Sequence, residues 1–253
     1  MDQLLIIKTG RTFPDIEVGF GDFEHMIARS MGLNLDRFLV CEPPAAAGAG
    51  LPDPMSCSGA VITGSHAMVT DNAPWIGETA AWLRQAVQAG LPVLGICFGH
   101  QLLAHALGGR AGFHPLGREA GTVVVMSTPE AERDALFQGL GSSYQAHVSH
   151  AQSVLELPQG SVLLAGGDYE PHQAVRFADR VWGVQFHPEF NAGVTRMYVQ
   201  AQADQLRAEG RDVEGILEGV CSTNVEEVLL ARFLNLVSSD SGKADAVINP
   251  ESF

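Results

Sequence analysis

Short apolar runs alternate with stretches of helical spacing along the first hundred residues. LLIIKTG, ending at Gly10, predicts a short buried strand. FEHMIARSMGL places apolar side chains at helical intervals and stops near Gly32. DRFLVCE predicts a second strand and SGAVITGS a third, separated by the Pro/Gly/Ala segment PPAAAGAGLPDP, a loop expected to be flexible. NAPWIGETAAWLRQAVQAG predicts a helix with Asn72 near its cap and Gly90 at its C′ position. LPVLGI is expected to be a strand buried on both faces, and HQLLAHALGG a helix closed by glycines. This rhythm predicts an α/β fold of three layers, α/β/α, around a mostly parallel central sheet with right-handed crossovers.

Beyond residue 110 the pattern changes. AGTVVVM, SYQAHVSH, SVLLAGG, HQAVRFA and RVWGVQF are short strands at close spacing, which favours antiparallel additions to the sheet. From Asn191 the spacing is helical again, in NAGVTRMYVQAQADQLRAEG, DVEGILEGV and NVEEVLLARFLNLV. The polar SSDSGKADAVINPESF that follows is expected to fray. No repeat or clear linker interrupts the chain. The expected organisation is one domain over residues 1–253, with 191–253 a helical C-terminal extension packed on it.

Composition narrows the function. The 253 residues carry 29 acidic and 15 basic side chains, a formal net charge of −14. An acidic surface offers no basic stripe to neutralise phosphates, so no nucleic-acid partner is expected. It also has the wrong sign for anionic membranes. No apolar run reaches the length of about 20 residues that a membrane helix needs. MDQLLIIKTG lacks the basic n-region of a signal peptide, and the four cysteines include no C-x-x-C pair, so the expected location is cytoplasmic. No carboxylate–histidine cluster has metal spacing, and neither a metal nor a cofactor is implied.

One cysteine stands apart. Gly95-Ile96-Cys97-Phe98-Gly99 has the form G-x-C-x-G between a predicted strand and a predicted helix, the setting of a nucleophile elbow. The sharp turn forces strained backbone at the nucleophile, and side chains two residues either side would collide. The helix beginning near Gly99 points its free N–H groups and positive dipole end at the sulfur, an environment that favours the nucleophilic thiolate. The Phe98 N–H can face a developing oxyanion. Cys41, Cys57 and Cys221 read as ordinary small apolar residues.

A thiolate nucleophile needs a base, and the base an orienter. GVQFHPEF, residues 183–190, supplies both. Pro188 biases His187 toward extended backbone, where residues i and i+2 project to the same side. Glu189 can then bond one ring nitrogen of His187 and leave the other for Cys97. The segment follows a strand and precedes a helix, so it falls at the C-terminal edge of the sheet, where open α/β sheets place their sites. His100, His105 and His147 read as packing or structural residues.

Together GICFGHQLLAHALGG and GVQFHPEF resemble the class I, triad-type glutamine amidotransferases over roughly residues 5–190, in the family's chain order. CFGHQ, GREAG (117–121) and HVSHAQSV (147–154) are similar to the amidotransferase domain of GMP synthase and its stand-alone relatives. The resemblance implies a flavodoxin-like fold and hydrolysis of L-glutamine through a γ-glutamyl thioester. It implies Cys97 as nucleophile, His187 as base then acid, and Glu189 as orienting carboxylate. It further implies Gly64 and the Phe98 N–H at the oxyanion, Gln101 holding substrate, and Ser149 and His150 facing the glutamine α-carboxylate and α-amine. Thr63-Gly64-Ser65 replaces the family's common Gly-Gly-Pro, and SHAQ replaces the SHGD of GMP synthase. Neither G-x-x-x-x-G-K-S/T nor a Ser-Gly-Gly phosphate loop occurs, so the ammonia acceptor is expected to be a separate synthetase-type protein or bulk solvent.

Two other functions fit the same residues. A γ-glutamyl peptidase or hydrolase would use the identical triad on a larger leaving group, since leaving-group choice is a matter of pocket shape. A regulatory protein on a dormant amidotransferase scaffold would need none of the three residues. A homodimer through the C-terminal helices is a further expectation.

Overall fold

A computed structural model of the chain describes residues 3–43, 45 and 50–244. Four strands, β1 (Gln3–Ile7), β2 (Phe38–Cys41), β3 (Cys57–Ile62) and β4 (Val93–Ile96), lie parallel in the order β2-β1-β3-β4. Beside β4 comes β11 (Val181–Val184), also parallel, paired Ile96 with Val184. Beyond it β10 (Ala174–Ala178), β9 (Val162–Gly166), β6 (Glu119–Ser127) and β7 (Ser143–His150) continue antiparallel, giving nine strands. The expected parallel half, antiparallel half and three-layer arrangement all form.

Alternation along β1 assigns the two layers, because successive strand residues face opposite sides. Leu4 and Ile6 join Val61, Leu94 and Ile96 on one side. This side is covered by α2 (Phe23–Ser30) and α8 (Val225–Ala244), through Ile27, Leu229, Leu230, Phe233 and Val237. Leu5 and Ile7 join Ala60, Ile62 and Val93 on the other, under α3 (Pro74–Gln88) and α4 (Phe98–Ala106). Each large side chain withdrawn from water here stabilises the fold by about 1.5–3 kcal/mol. Among the described residues no helix is long and apolar enough to cross a membrane.

Several elements depart from the sequence pattern. Residues 14–20 form α1 (Pro14–Phe20), unforeseen because only Ile16 of its seven residues is buried, which leaves no periodic stripe. Asn72 does not cap α3. It adopts the left-handed conformation (φ 55°) and its amide turns back to the Thr70 carbonyl, while Ala73 and Pro74 start the helix. A two-stranded ribbon of β5 (Arg110–Phe113) and β8 (Gln152–Glu156) lies apart from the main sheet. RVWGVQF is no peripheral addition: β11 is antiparallel to β10 but parallel to β4, inside the sheet.

The single helix expected over 191–210 breaks at Gln202 into α5 (Ala192–Ala201) and α6 (Ala203–Ala208), with α7 (Val213–Gly219) following. Gln202 sits at φ −106°, ψ 9°, outside helical geometry, and its side chain bonds inward rather than to solvent. The polar tail expected to fray is helical as far as Ala244, because α8, once anchored by its apolar face, propagates through polar residues at little cost. Residues 245–253, and residues 44 and 46–49 of the 43–54 loop, lie outside the described part.

Phe233 is fully buried and meets Trp182 edge-on at 6.4 Å. Phe233→Ala should lower the unfolding free energy by about 3–5 kcal/mol, measured by urea titration. A change below about 1 kcal/mol would show that α8 contributes little to the core.

Candidate active site

A single residue, Cys97, links β4 to α4. It holds φ 51° and ψ −100°, a conformation that costs a non-glycine residue about 1–3 kcal/mol. Its N–H donates to the Val184 carbonyl at 2.8 Å, and its own carbonyl accepts the Gln101 N–H at 3.1 Å. The flanking glycines are sterically required. A Cβ on Gly95 would lie 2.5 Å from the Gly99 carbonyl oxygen, and one on Gly99 would lie 2.6 Å from that of Ile62. The turn lifts the sulfur to the floor of a cavity of about 310 Å³, leaving Cys97 6 % exposed.

His187 arrives from the neighbouring strand. Two residues separate it from the end of β11, and its N–H donates to the His147 carbonyl at 2.8 Å. The ring lies flat on Phe190, centroids 4.1 Å apart, with Phe23 nearly parallel beside the pair at 6.4 Å from His187 and 6.3 Å from Phe190. Nδ1 meets Glu189 Oε1 at 2.8 Å, so it carries the proton donated to the carboxylate and leaves Nε2 as the other functional nitrogen. Cys97 and this ring line the same cavity, and the charge of Cys97 acts on the imidazole. Glu189 is buried, and its Oε2 has no hydrogen-bond partner.

Charge is concentrated on this one imidazole. Burial alone would lower the His187 pKa, but the charges of Glu189 and Cys97 and the hydrogen bonds to both outweigh it, and the value rises to about 10. Nearby rings move the other way. Burial, then the charges of His187 and Arg196, lower His147 to about 4, so the approach of Glu226 at 3.4 Å is to a neutral ring. Burial, then His187 and Arg118, lower His66.

The other sequence-derived positions gather around the same cavity. Gly64 borders the His187 ring so closely that a Cβ there would meet Cε1 at 2.9 Å. Phe98, Gln101, Ser149 and His150 line the wall. Gln101 Nε2 donates to the Gln152 carbonyl (2.7 Å) and Gln185 Oε1 (3.0 Å). The Ser149 carbonyl is 3.9 Å from Cys97 Sγ, while its hydroxyl accepts from Gln202 Nε2 at 2.8 Å. Both His150 nitrogens are engaged, Nδ1 with the Gln152 carbonyl at 3.0 Å and Nε2 with Glu119 at 2.9 Å.

The further wall residues without a local signal in the sequence include Phe13, His66, Arg118, Tyr198 and Gln202. Arg118 falls within GREAG, but nothing in that stretch indicates that its side chain reaches the site. Gln202 looks like any polar residue of a surface helix.

The charge on His187 has a pH consequence. An unfolded imidazole releases its proton near 6.5, whereas the folded one holds it to about 10. The stabilisation is complete below the lower value and is lost as pH rises through the higher. Urea midpoints measured from pH 6.5 to 10 should therefore fall in the wild type and fall less steeply in His187→Asn. Parallel curves would contradict the assignment.

Comparison with known proteins adds the relationship. The class-I glutamine amidotransferase family matches residues 24–203. GMP synthase [glutamine-hydrolyzing] from Aeropyrum pernix is 34 % identical over 172 residues, covering 67 % of this chain and 31 % of that protein. A GMP synthase [glutamine-hydrolyzing] subunit from Methanococcoides burtonii is 31 % identical over 173 residues, covering 67 % of this chain and 83 % of that one. The chain thus spans under a third of the length of the full GMP synthase from Aeropyrum pernix but most of the Methanococcoides burtonii protein. A glutamine amidotransferase from Thermotoga maritima shares the fold with TM-score 0.70 at 20 % identity, over 95 % of this chain and 98 % of that one. One from Methylobacillus flagellatus does so with TM-score 0.69 at 23 % identity, over 100 % and 98 %. Matched across well over half its length, the chain belongs to the class-I glutamine amidotransferases.

Proposed function

We propose that the protein hydrolyses L-glutamine to glutamate and ammonia through a γ-glutamyl thioester on Cys97, with His187 and Glu189 completing the triad. The observation that carries this reading is the convergence of three buried groups: thiol and imidazole on the wall of one cavity, and imidazole bonded to carboxylate at 2.8 Å. The Cys97 sulfur attacks the γ-amide carbon, and the Phe98 and Gly64 N–H groups stabilise the oxygen as it becomes anionic. The C–N bond breaks as His187 hands its proton to the departing ammonia. Water, deprotonated by His187, then cleaves the thioester and frees glutamate. Glu189 keeps the ring in one orientation and balances its charge throughout.

The ammonia passes to a separate synthetase-type partner in this reading. The Methanococcoides burtonii relative supports it, being a GMP synthase component of nearly the same extent as the matched segment. Gln101, Ser149 and His150, all on the cavity wall, contribute to substrate binding.

Cys97→Ala should abolish glutamate release from glutamine, a loss of about 10⁴-fold or more, and Glu189→Gln should cost less. Ammonia and glutamate are measured together, with γ-glutamyl peptides run in parallel. An unchanged rate in Cys97→Ala would overturn the reading; faster turnover of the peptides than of glutamine would reassign the enzyme as a γ-glutamyl hydrolase.

A further inference from the structure

The cavity wall contains no Asp, Glu or Lys among the described residues, and one arginine, Arg118. In a chain of net charge −14, this confined absence of acidic groups suits a ligand that presents an anionic group to the wall. Arg118 is held for such a role. Its side chain is 12 % exposed, and Nη1 donates to Gln202 Oε1 at 3.0 Å. Gln202 in turn donates to the Ser149 hydroxyl, on the residue whose carbonyl approaches Cys97 Sγ. The backbone is fixed as well: the Arg118 N–H donates to Glu209 Oε2 at 3.1 Å, and its carbonyl accepts from Arg211.

The guanidinium is nevertheless not saturated. Nε is buried without a hydrogen bond, and Glu209 Oε1, 3.6 Å away on a side chain 33 % exposed, neutralises it only in part. No acceptor among the described residues meets Nη2. Its field reaches the cavity, since Arg118 is one of the charges that disfavour protonation of His66. Meanwhile the side chains of Ser149 and His150, expected to face the substrate's α-carboxylate and α-amine, are already committed to Gln202, Gln152 and Glu119. In a γ-glutamyl compound the α-carboxylate is the anionic group, beside a cationic α-amine, and only two methylenes and the α-carbon separate it from the carbonyl that the thiol attacks.

We propose that Arg118 receives the free α-carboxylate of the substrate and so restricts the site to γ-glutamyl compounds that carry one. This rests on the reading of Cys97 as the nucleophile toward γ-glutamyl amides. A planar fork of donors suits a carboxylate, and in a partly desolvated cavity the pairing discriminates strongly against a neutral replacement.

The test compares L-glutamine with its α-carboxamide, which keeps the γ-amide and removes the negative charge. Ammonia release should show the wild type preferring glutamine by about 10- to 100-fold in kcat/KM. Arg118→Met should lose that preference by failing on glutamine alone, and Arg118→Lys should recover part of it. An equal loss on both substrates would make Arg118 merely structural, and a retained preference would put the carboxylate elsewhere; either overturns the proposal. Alkylation of Cys97 by uncharged iodoacetamide, run on each variant, verifies that the elbow survives the substitution. A wild type that alkylates normally but turns over neither compound would count against the hydrolytic reading instead. Calorimetric binding of both compounds to Cys97→Ala, with and without Arg118→Met, then decides the Arg118 question: glutamine binding lost with the arginine supports it, and absent or unaltered binding overturns it.

Discussion

The parallel register between β4 and β11 is the constraint on which the site depends. Pairing Ile96 with Val184 brings two strand ends side by side, and Cys97 follows one of them directly while His187 follows the other three residues on. The Cys97 N–H is tied to the Val184 carbonyl, so the elbow is anchored to the strand that leads to the histidine. A slip of one residue would turn every side chain of β11 to the opposite face, and with it the approach of His187. Both strands are fully buried, so the layers above and below oppose such a slip. The strain at Cys97 persists because the surrounding sheet over-determines it.

Electrostatics then select one proton carrier among several histidines. A buried carboxylate with an unsatisfied oxygen is costly, and its pairing with His187 is what makes Glu189 tolerable in the core. Burial first, and then the charge on His187, raises the cost of protonating His66 and His147, and both shift downward. Neutral rings nearby can pack and accept hydrogen bonds without competing for the charge. The aromatic stack of Phe23, His187 and Phe190 fixes the ring plane, so the direction of Nε2 follows from packing rather than from a hydrogen bond alone.

The sequence makes some of this legible and hides the rest for physical reasons. Gly95, Cys97 and Gly99 advertise the elbow because steric demand at a tight turn is local and leaves a local signature. His187 and Glu189 are equally legible, since a proline between them fixes a two-residue geometry. Arg118 and Gln202 are invisible by the same logic. They meet across 84 positions, brought together by a ribbon, a sheet edge and a helix break that no periodicity encodes. α1 leaves no periodic signal because so short a helix buries a single side chain, and the place of β11 is not encoded locally because a short apolar strand does not declare which neighbour it will choose.

The break at Gln202 has an evolutionary reading. The family resemblance runs from residue 24 to 203, and that segment holds Cys97, His187 and Glu189. Phe13 lies ahead of it, and Gln205, Glu209 and Arg211, which shape or brace the far wall, lie behind. The residues proposed for catalysis and for substrate binding are thus housed in one stretch of the chain, while part of the wall around them is supplied from its margins. Divergence at those margins can reshape the outer wall of the cavity without disturbing the elbow at its floor.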